Sequence, residues 1–364
     1  MKKIFLYAYD KVNLGDDLFI CSIVERYPNA KFYMISDRTN KENFCDLKNL
    51  KIIDKNSNLL RKIRKILDGA YSRYEAFLKK RCDVVVYIGG SIFIEYLTWA
   101  NIVNWWEYQA SQYQLYIIGA NFGPYQTEEY KIAMKNVFNK AQDICFRDNN
   151  SYNLFKEISK VRFAPDIIFS QTLKEQKSRK MIFVSVINCK NKDEGNHSLI
   201  FYHNNYIEVL ERIIKDYLID GYNITLCSFC EAEGDEEVIE ELLKRINDKK
   251  VKSLLYNGKN RMDILNEISK SCYVIGTRFH SIVLGMIAKK PVFPIVYSKK
   301  TRNMLNDIDY KGNYIDIKNI DKLEYKYSKE NLDKNYVVDI TKLQKESLKH
   351  FSRLDMVINS ENYN

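Results

Sequence analysis

Cys272-Tyr273-Val274-Ile275-Gly276-Thr277-Arg278-Phe279-His280-Ser281-Ile282-Val283-Leu284-Gly285 is a short apolar run that halts at a glycine and resumes with helical spacing. A run of this length bounded by glycine reads as a buried strand ending at Gly276. The apolar positions after Phe279 read as a helix over 281–288, with Thr277 as its N-cap. A helix start after a strand exposes backbone N–H groups and the positive end of the helix dipole, which suits an anion. Arg278 adds a permanent cationic fork matched to carboxylate or phosphate. His280 adds a side chain whose ordinary pKa lies near neutrality, so it can give or take a proton. The competing reading is structural: a histidine satisfied by backbone and an arginine paired to a nearby carboxylate.

The same strand–turn–helix pattern recurs on both sides. Strands are expected over 4–9, 31–35, 84–88, 115–118 and 144–146, then over 181–186, 224–229, 272–275 and 292–296. Helical segments alternate with them, which implies mostly parallel sheets covered on both faces. The pattern lapses over the polar stretch 171–180. The expected organisation is therefore an N-terminal domain over 1–170, a linker over 171–180, a C-terminal domain over 181–310 and a C-terminal extension over 311–364. In such sheets ligands gather at the carboxyl ends of strands, and in a two-domain version both sets of ends can face one cleft.

The 364 residues suffice for two cores without staples. The formal charge of +10 favours an anionic partner, although lysines scattered through a Lys/Asn-rich chain give the same sum. No nucleic-acid partner is expected. Several of the eight cysteines lie in apolar runs, which reads as buried thiols in a reducing compartment. Cys227 and Cys230 form a CxxC pair, but no second pair completes a zinc site. No acidic or histidine cluster stands out, so neither a metal nor a cofactor is expected. The apolar run at the start lacks a signal-peptide cleavage site, and no window is long enough to span a bilayer. The expected location is cytoplasmic. The basic stretch 59–81, with Lys79 among its eight cations, reads either as a helix on the cytoplasmic face of an anionic membrane or as a solvated helix face. The segment Trp99 to Trp106 reads as core packing ahead of sugar stacking.

Other candidates follow other strands. Asn13-Leu14-Gly15-Asp16 ends the first one; Gly15 allows close backbone approach, and Asp16 either accepts from sugar hydroxyls or caps a helix. Gly89-Gly90-Ser91 and Gly119 to Pro124, with Asn121 inside, either meet a phosphate or sugar through backbone N–H groups or merely turn the chain. Arg147 is a second candidate anion clamp, its structural alternative being a salt bridge to Asp148 or Asp166. Lys300, after the strand 292–296, is placed to close over a phosphate.

The ordered set Asn13-x-Gly15-Asp16, Gly89-Gly90-Ser91, Gly119 to Pro124, Arg147-Asp148-x-x-Ser151, Ala164-Pro165-Asp166 and Thr277-Arg278-Phe279-His280-Ser281 resembles the polysaccharide pyruvyltransferase family from about Met1 to Leu305. The resemblance implies two Rossmann-like doubly wound α/β domains in a GT-B-like arrangement with a cleft between them. It implies transfer of pyruvate from phosphoenolpyruvate to two hydroxyls of a sugar or lipid-linked oligosaccharide, as a ketal, with release of phosphate. Arg278, His280 and Arg147 would then serve the donor, with Arg147 reaching it from the other domain, and Asp16 is a candidate base. Asn13, Gly15, Gly89, Gly90, Asn121, Thr277, Ser281 and Lys300 complete the expected site. The rival reading is a GT-B glycosyltransferase with a nucleotide-sugar donor.

Overall fold

The computed structural model describes residues 1–57, 70–194 and 197–359. One sheet holds β1 (Lys3–Tyr7), β2 (Lys31–Ser36), β3 (Leu50–Asp54), β4 (Val84–Ile88), β5 (Leu115–Ala120), β6 (Asp143–Phe146) and β7 (Val161–Phe163), in the order β3-β2-β1-β4-β5-β6-β7. The second sheet follows β8 (Met181–Ser185) and a two-residue hairpin, β9 (Asp193–Glu194) with β10 (His197–Ser198). It adds β11 (Asn223–Cys227), β12 (Val251–Leu254), β13 (Tyr273–Gly276), β14 (Val292–Val296) and β15 (Ile315–Asp316), in the order β12-β11-β8-β13-β14-β15. Neighbours in both large sheets are parallel. Central strands such as β5, β13 and β14 are buried along their whole length, which is why they read as unbroken apolar runs. Each sheet is doubly wound: the strand order turns back between β1 and β4, and between β8 and β13. Those two points are where the carboxyl ends of strands open a ligand crevice.

The helices bury one stripe each. Helix Asp235–Ile246 buries Val238, Ile239, Leu242 and Ile246 and turns its Glu and Lys side to water. Helix Phe279–Ile287 is different, because nearly every residue in it is buried. Trp106 is in the core of the first unit and Trp105 meets Tyr7 and Tyr87 edge-on, the packing role expected for that segment.

The chain clusters into two compact units: Met1–Lys11, Asp16–Ile167 and Glu346–Asn364 form one, Val12–Gly15 and Ile168–Lys345 the other. The fold thus cuts the chain differently from the divisions at 170, 180 and 310. The stretch after Gln171 up to Arg179 carries no helix or strand. The cut at 310 falls inside the second unit, because β15 pairs with β14 beyond it. The far end of the tail belongs to the first unit.

Residues 59–69 of the basic stretch lie outside the described residues. In the described part, helix Ala70–Lys80, Lys79 points inward and not to a membrane or solvent face. Its Nζ, 3 % exposed as a residue, donates to Gln109 Oε1 at 2.7 Å, pairs with Glu75, and sits 4.5 Å from the centre of the Tyr7 ring. Phe77, two residues earlier, is exposed instead. Among the described residues no helix is long and apolar enough to cross a membrane.

His350, in the tail, is fully buried in the first unit. Burial pushes its pKa down from 6.5 to about 3. Both folded and unfolded forms are neutral at pH 7. Below pH 6.5 the unfolded chain takes up a proton that the folded chain refuses until about pH 3. Wild-type stability should therefore fall by about 1.4 kcal/mol per pH unit across that window relative to a His350→Gln variant. Urea midpoints measured from pH 7 to pH 4 check this, and parallel curves for the two proteins would refute it.

Candidate functional site

In the second unit, the crevice point between β8 and β13 is closed by Ser185 and by the residues after Gly276. The Ser185 hydroxyl accepts the amides of Thr277 (3.1 Å) and Arg278 (3.2 Å). It stands 2.5 Å from Ser281 Oγ, which donates to the Arg278 carbonyl at 2.6 Å, so Ser185 must be the donor in the Ser185–Ser281 bond. This corrects two expectations. Thr277 does not cap the helix: Arg278 occupies the cap position of Phe279–Ile287, and Thr277 Oγ1 is bonded to the buried Tyr206 hydroxyl at 2.8 Å. The amides of Thr277 and Arg278 do not face a ligand, and those of Ser281 and Ile282 are spent on the Arg278 carbonyl. Thr277 and Ser281 are fully buried and shape the turn from within.

Arg278 takes the partnered alternative. Its guanidinium, on a residue 6 % exposed, clasps Asp235 through Nε (2.9 Å) and Nη2, and donates to Glu233 through Nη1. Asp235 is fully buried and also accepts the amides of Phe229 (2.9 Å) and Cys230 (3.1 Å). Burial would raise the Glu233 carboxyl, but Arg278 and Lys192 hold it down at about 2. Two cations therefore balance two carboxylates here, and three of the five guanidinium N–H bonds are committed to them.

A closed circuit of contacts leads from Arg278 to His280. The Phe229 carbonyl accepts the Leu14 amide at 3.0 Å, and the Gly15 amide donates to Asn13 Oδ1 at 3.0 Å. The His280 ring lies against the Gly15 Cα so closely that a Cβ there would overlap Nδ1, Cε1 and Cγ. The ring also meets Phe279 edge-on, with centroids 5.0 Å apart. Asn13 and Gly15 are thus joined to His280 in one unit, although 265 residues separate Gly15 from His280 in sequence (280 − 15). Asp16 is in the first turn of helix Leu14–Arg26, partly exposed, and clusters with the first unit. Lys300 is in the first turn of helix Lys299–Asp307, after β14, the neighbour of β13.

The first unit assembles a second group. Arg147, after β6, donates to Asp166 Oδ2 at 2.9 Å and to Asn121 Oδ1 at 2.7 Å. Its guanidinium lies over Gly90, where a Cβ would come within 2.6 Å of Cζ. Asn121 donates its own amide N–H to the Gly90 carbonyl at 2.8 Å, and Gly89 closes β4 with its amide on Ile118. Of the two alternatives for Arg147, Asp166 is the partner. Asp148 instead caps helix Asn149–Phe155 through Ser151, whose hydroxyl accepts the Phe122 amide at 2.7 Å. Gly90, Asn121, Arg147 and Asp166 therefore form one buried cluster.

Between them these two groups hold residues of each motif in the ordered set that carries the family resemblance. The profile of the family described as "Polysaccharide pyruvyl transferase" matches residues 13–299. The chain belongs to the polysaccharide pyruvyl transferase family. Solved structures of similar fold include Staphylococcus aureus MnaA with UDP (13 % identity, 100 % of this chain and 98 % of that one, TM-score 0.63). A putative UDP-N-acetylglucosamine 2-epimerase from Listeria monocytogenes is similar at 12 % identity, 100 % and 97 % coverage and TM-score 0.60. Anabaena HepE, in complex with UDP and glucose, gives 13 %, 100 %, 98 % and 0.58. At such identities the likeness is one of fold: two doubly wound α/β units. As a member of the polysaccharide pyruvyl transferase family, the chain is a transferase.

Within this family member, Ser185, Glu233, Asp235, Lys192 and His350 had no signal of their own in the sequence. Ser185 looks like the end of an apolar strand, and Asp235 is one of several acids between Glu231 and Glu237. The CxxC cysteines are buried; desolvation pushes Cys230 up to about 11 and Cys227 well above its usual value, opposite to a reactive thiolate.

Proposed function

We propose that this protein transfers pyruvate from phosphoenolpyruvate to two hydroxyls of a sugar in a cell-surface glycan precursor. The observation that supports it most is the seating of His280 on Gly15, which joins two family motifs at the β8/β13 crevice point. Two sugar hydroxyls and the enol phosphate give a ketal, a methyl group and hydrogen phosphate. One hydroxyl proton ends on the former methylene carbon and the other leaves with phosphate. His280 delivers the first proton, and Asp16 is the base for a hydroxyl. The donor is an anion, while Arg278 and Lys192 are already balanced by Glu233 and Asp235. Its attraction is assigned to the dipole of helix Phe279–Ile287 and to the unspent N–H groups of Arg278, with Lys300, in the first turn after β14, as a further contact. Arg147, held by Asn121 and Asp166, is the proposed second cation for the donor. The acceptor is a sugar or lipid-linked oligosaccharide at the cytoplasmic face of the membrane, and the chemistry needs no cofactor.

Purified protein incubated with phosphoenolpyruvate and a panel of glycan acceptors should release inorganic phosphate and add a carboxyethylidene group by mass spectrometry. The second reading, a nucleotide-sugar donor, draws on the UDP held by MnaA and HepE. UDP release from a UDP-sugar, with none of phosphate from phosphoenolpyruvate, would decide for it. Gly90→Ala should displace Arg147 and raise the KM for phosphoenolpyruvate about 10-fold or more, and should also lower the thermal midpoint, because the buried Arg147–Asp166 pair is disturbed. Steady-state kinetics beside a melting curve check this.

A further inference from the structure

We propose that His350, from the C-terminal tail, is a positioning residue for Arg147. His350 Nδ1 accepts the Gly119 amide at 3.3 Å, and Nε2 is 2.9 Å from the Pro165 carbonyl, so the ring carries its proton on Nε2 and donates it there. Gly119 lies two residues before Asn121, and Pro165 immediately precedes Asp166. Asn121 and Asp166 both accept from the Arg147 guanidinium and help to aim it. One imidazole therefore ties together the two chain segments on which Arg147 depends.

The tail is docked firmly enough to do this. Arg162 donates to the Lys349 carbonyl at 2.6 Å and to Ser352 Oγ at 3.0 Å, while clasping Asp143 at 2.7 and 2.6 Å. Arg26 clasps Asp355 at 3.0 and 2.7 Å, and Tyr27 donates to the same carboxylate at 2.9 Å. Phe351 and Leu354 are buried in the first unit. A ring held at this precision matters because a displacement of about 1 Å at a group that orients substrate can cost about 10²-fold in rate.

The kinetic part rests on the proposal that Arg147 meets the donor. The test uses the full chain with His350→Phe, His350→Asn and His350→Gln. The Phe ring keeps volume and loses both bonds; Asn keeps an acceptor near Nδ1; Gln keeps a donor near Nε2. The expected result is a kcat/KM for phosphoenolpyruvate about 10²-fold down in the Phe variant, most of it through KM, and substantially restored in the Gln variant but less in the Asn variant. Wild-type kcat/KM in the Phe variant, or Asn equal to or better than Gln, would overturn the proposal. If the Phe variant does not fold, the Asn and Gln pair decides alone. If the wild type releases no phosphate from phosphoenolpyruvate, the functional reading fails separately, and the guanidinium NMR signals of Arg147, assigned with Arg147→Lys, decide. They should be slow to exchange in wild type and Gln and fast in Asn; unchanged signals throughout would refute the positioning role.

Discussion

His280→Gln should lower phosphate release from phosphoenolpyruvate by about 10²–10⁴-fold while leaving the thermal midpoint nearly unchanged. Glutamine fills similar space but supplies no proton at neutral pH. Gly15→Ala should approach the same loss for a different reason. The added methyl occupies the place of the His280 ring, so either the ring swings away or the segment Asn13–Gly15 is pushed off Phe229. The backbone there is helical and suits alanine, which isolates the effect to the contact. Assays with the two single variants and the double variant should give a double-variant loss close to the larger single loss, because both act through one ring. Wild-type turnover in His280→Gln would remove His280 from the chemistry. Full activity in Gly15→Ala would remove the seating argument.

Asp235→Ala should destabilise the fold by about 3–5 kcal/mol, since it strands the buried Arg278 charge and the amides of Phe229 and Cys230. Converting Arg278 to Met in that background should recover much of the loss, because the uncompensated charge goes with it. Activity should not recover, for the circuit through Phe229 and Leu14 to the His280 seat stays broken. Urea denaturation of the two single variants and the double variant reads the first part and the phosphate assay the second. A single Asp235→Ala variant as stable as wild type would show that the pair does not hold the turn.

Much of the fold is legible in the sequence. The alternation of apolar runs and helical spacing announced parallel sheets because buried strands and amphipathic helices are written in short windows. Gly15 marks a place where a close approach is possible, since glycine leaves room there, whereas the Arg147 guanidinium over Gly90 shows only in the fold. Trp106 was readable as core for the same local reason. What resisted reading depends on partners far away in sequence. Arg278 could be a clamp or a paired arginine, and the choice lies with Asp235, 43 residues back. Lys79 looked like a surface cation until a ring of aromatics and Gln109 enclosed it. The tail, featureless as sequence, places His350 against Gly119 from 231 residues away. The sequence by itself therefore determined the inner strands, the turns after them and which of those turns carry chemical side chains, but not the edge strands β3, β7, β12 and β15, which lack a long apolar run. Only the tertiary structure decided which of those side chains are bonded inward, because burial and pairing are set by the elements that pack against a residue, and not by its neighbours in the chain.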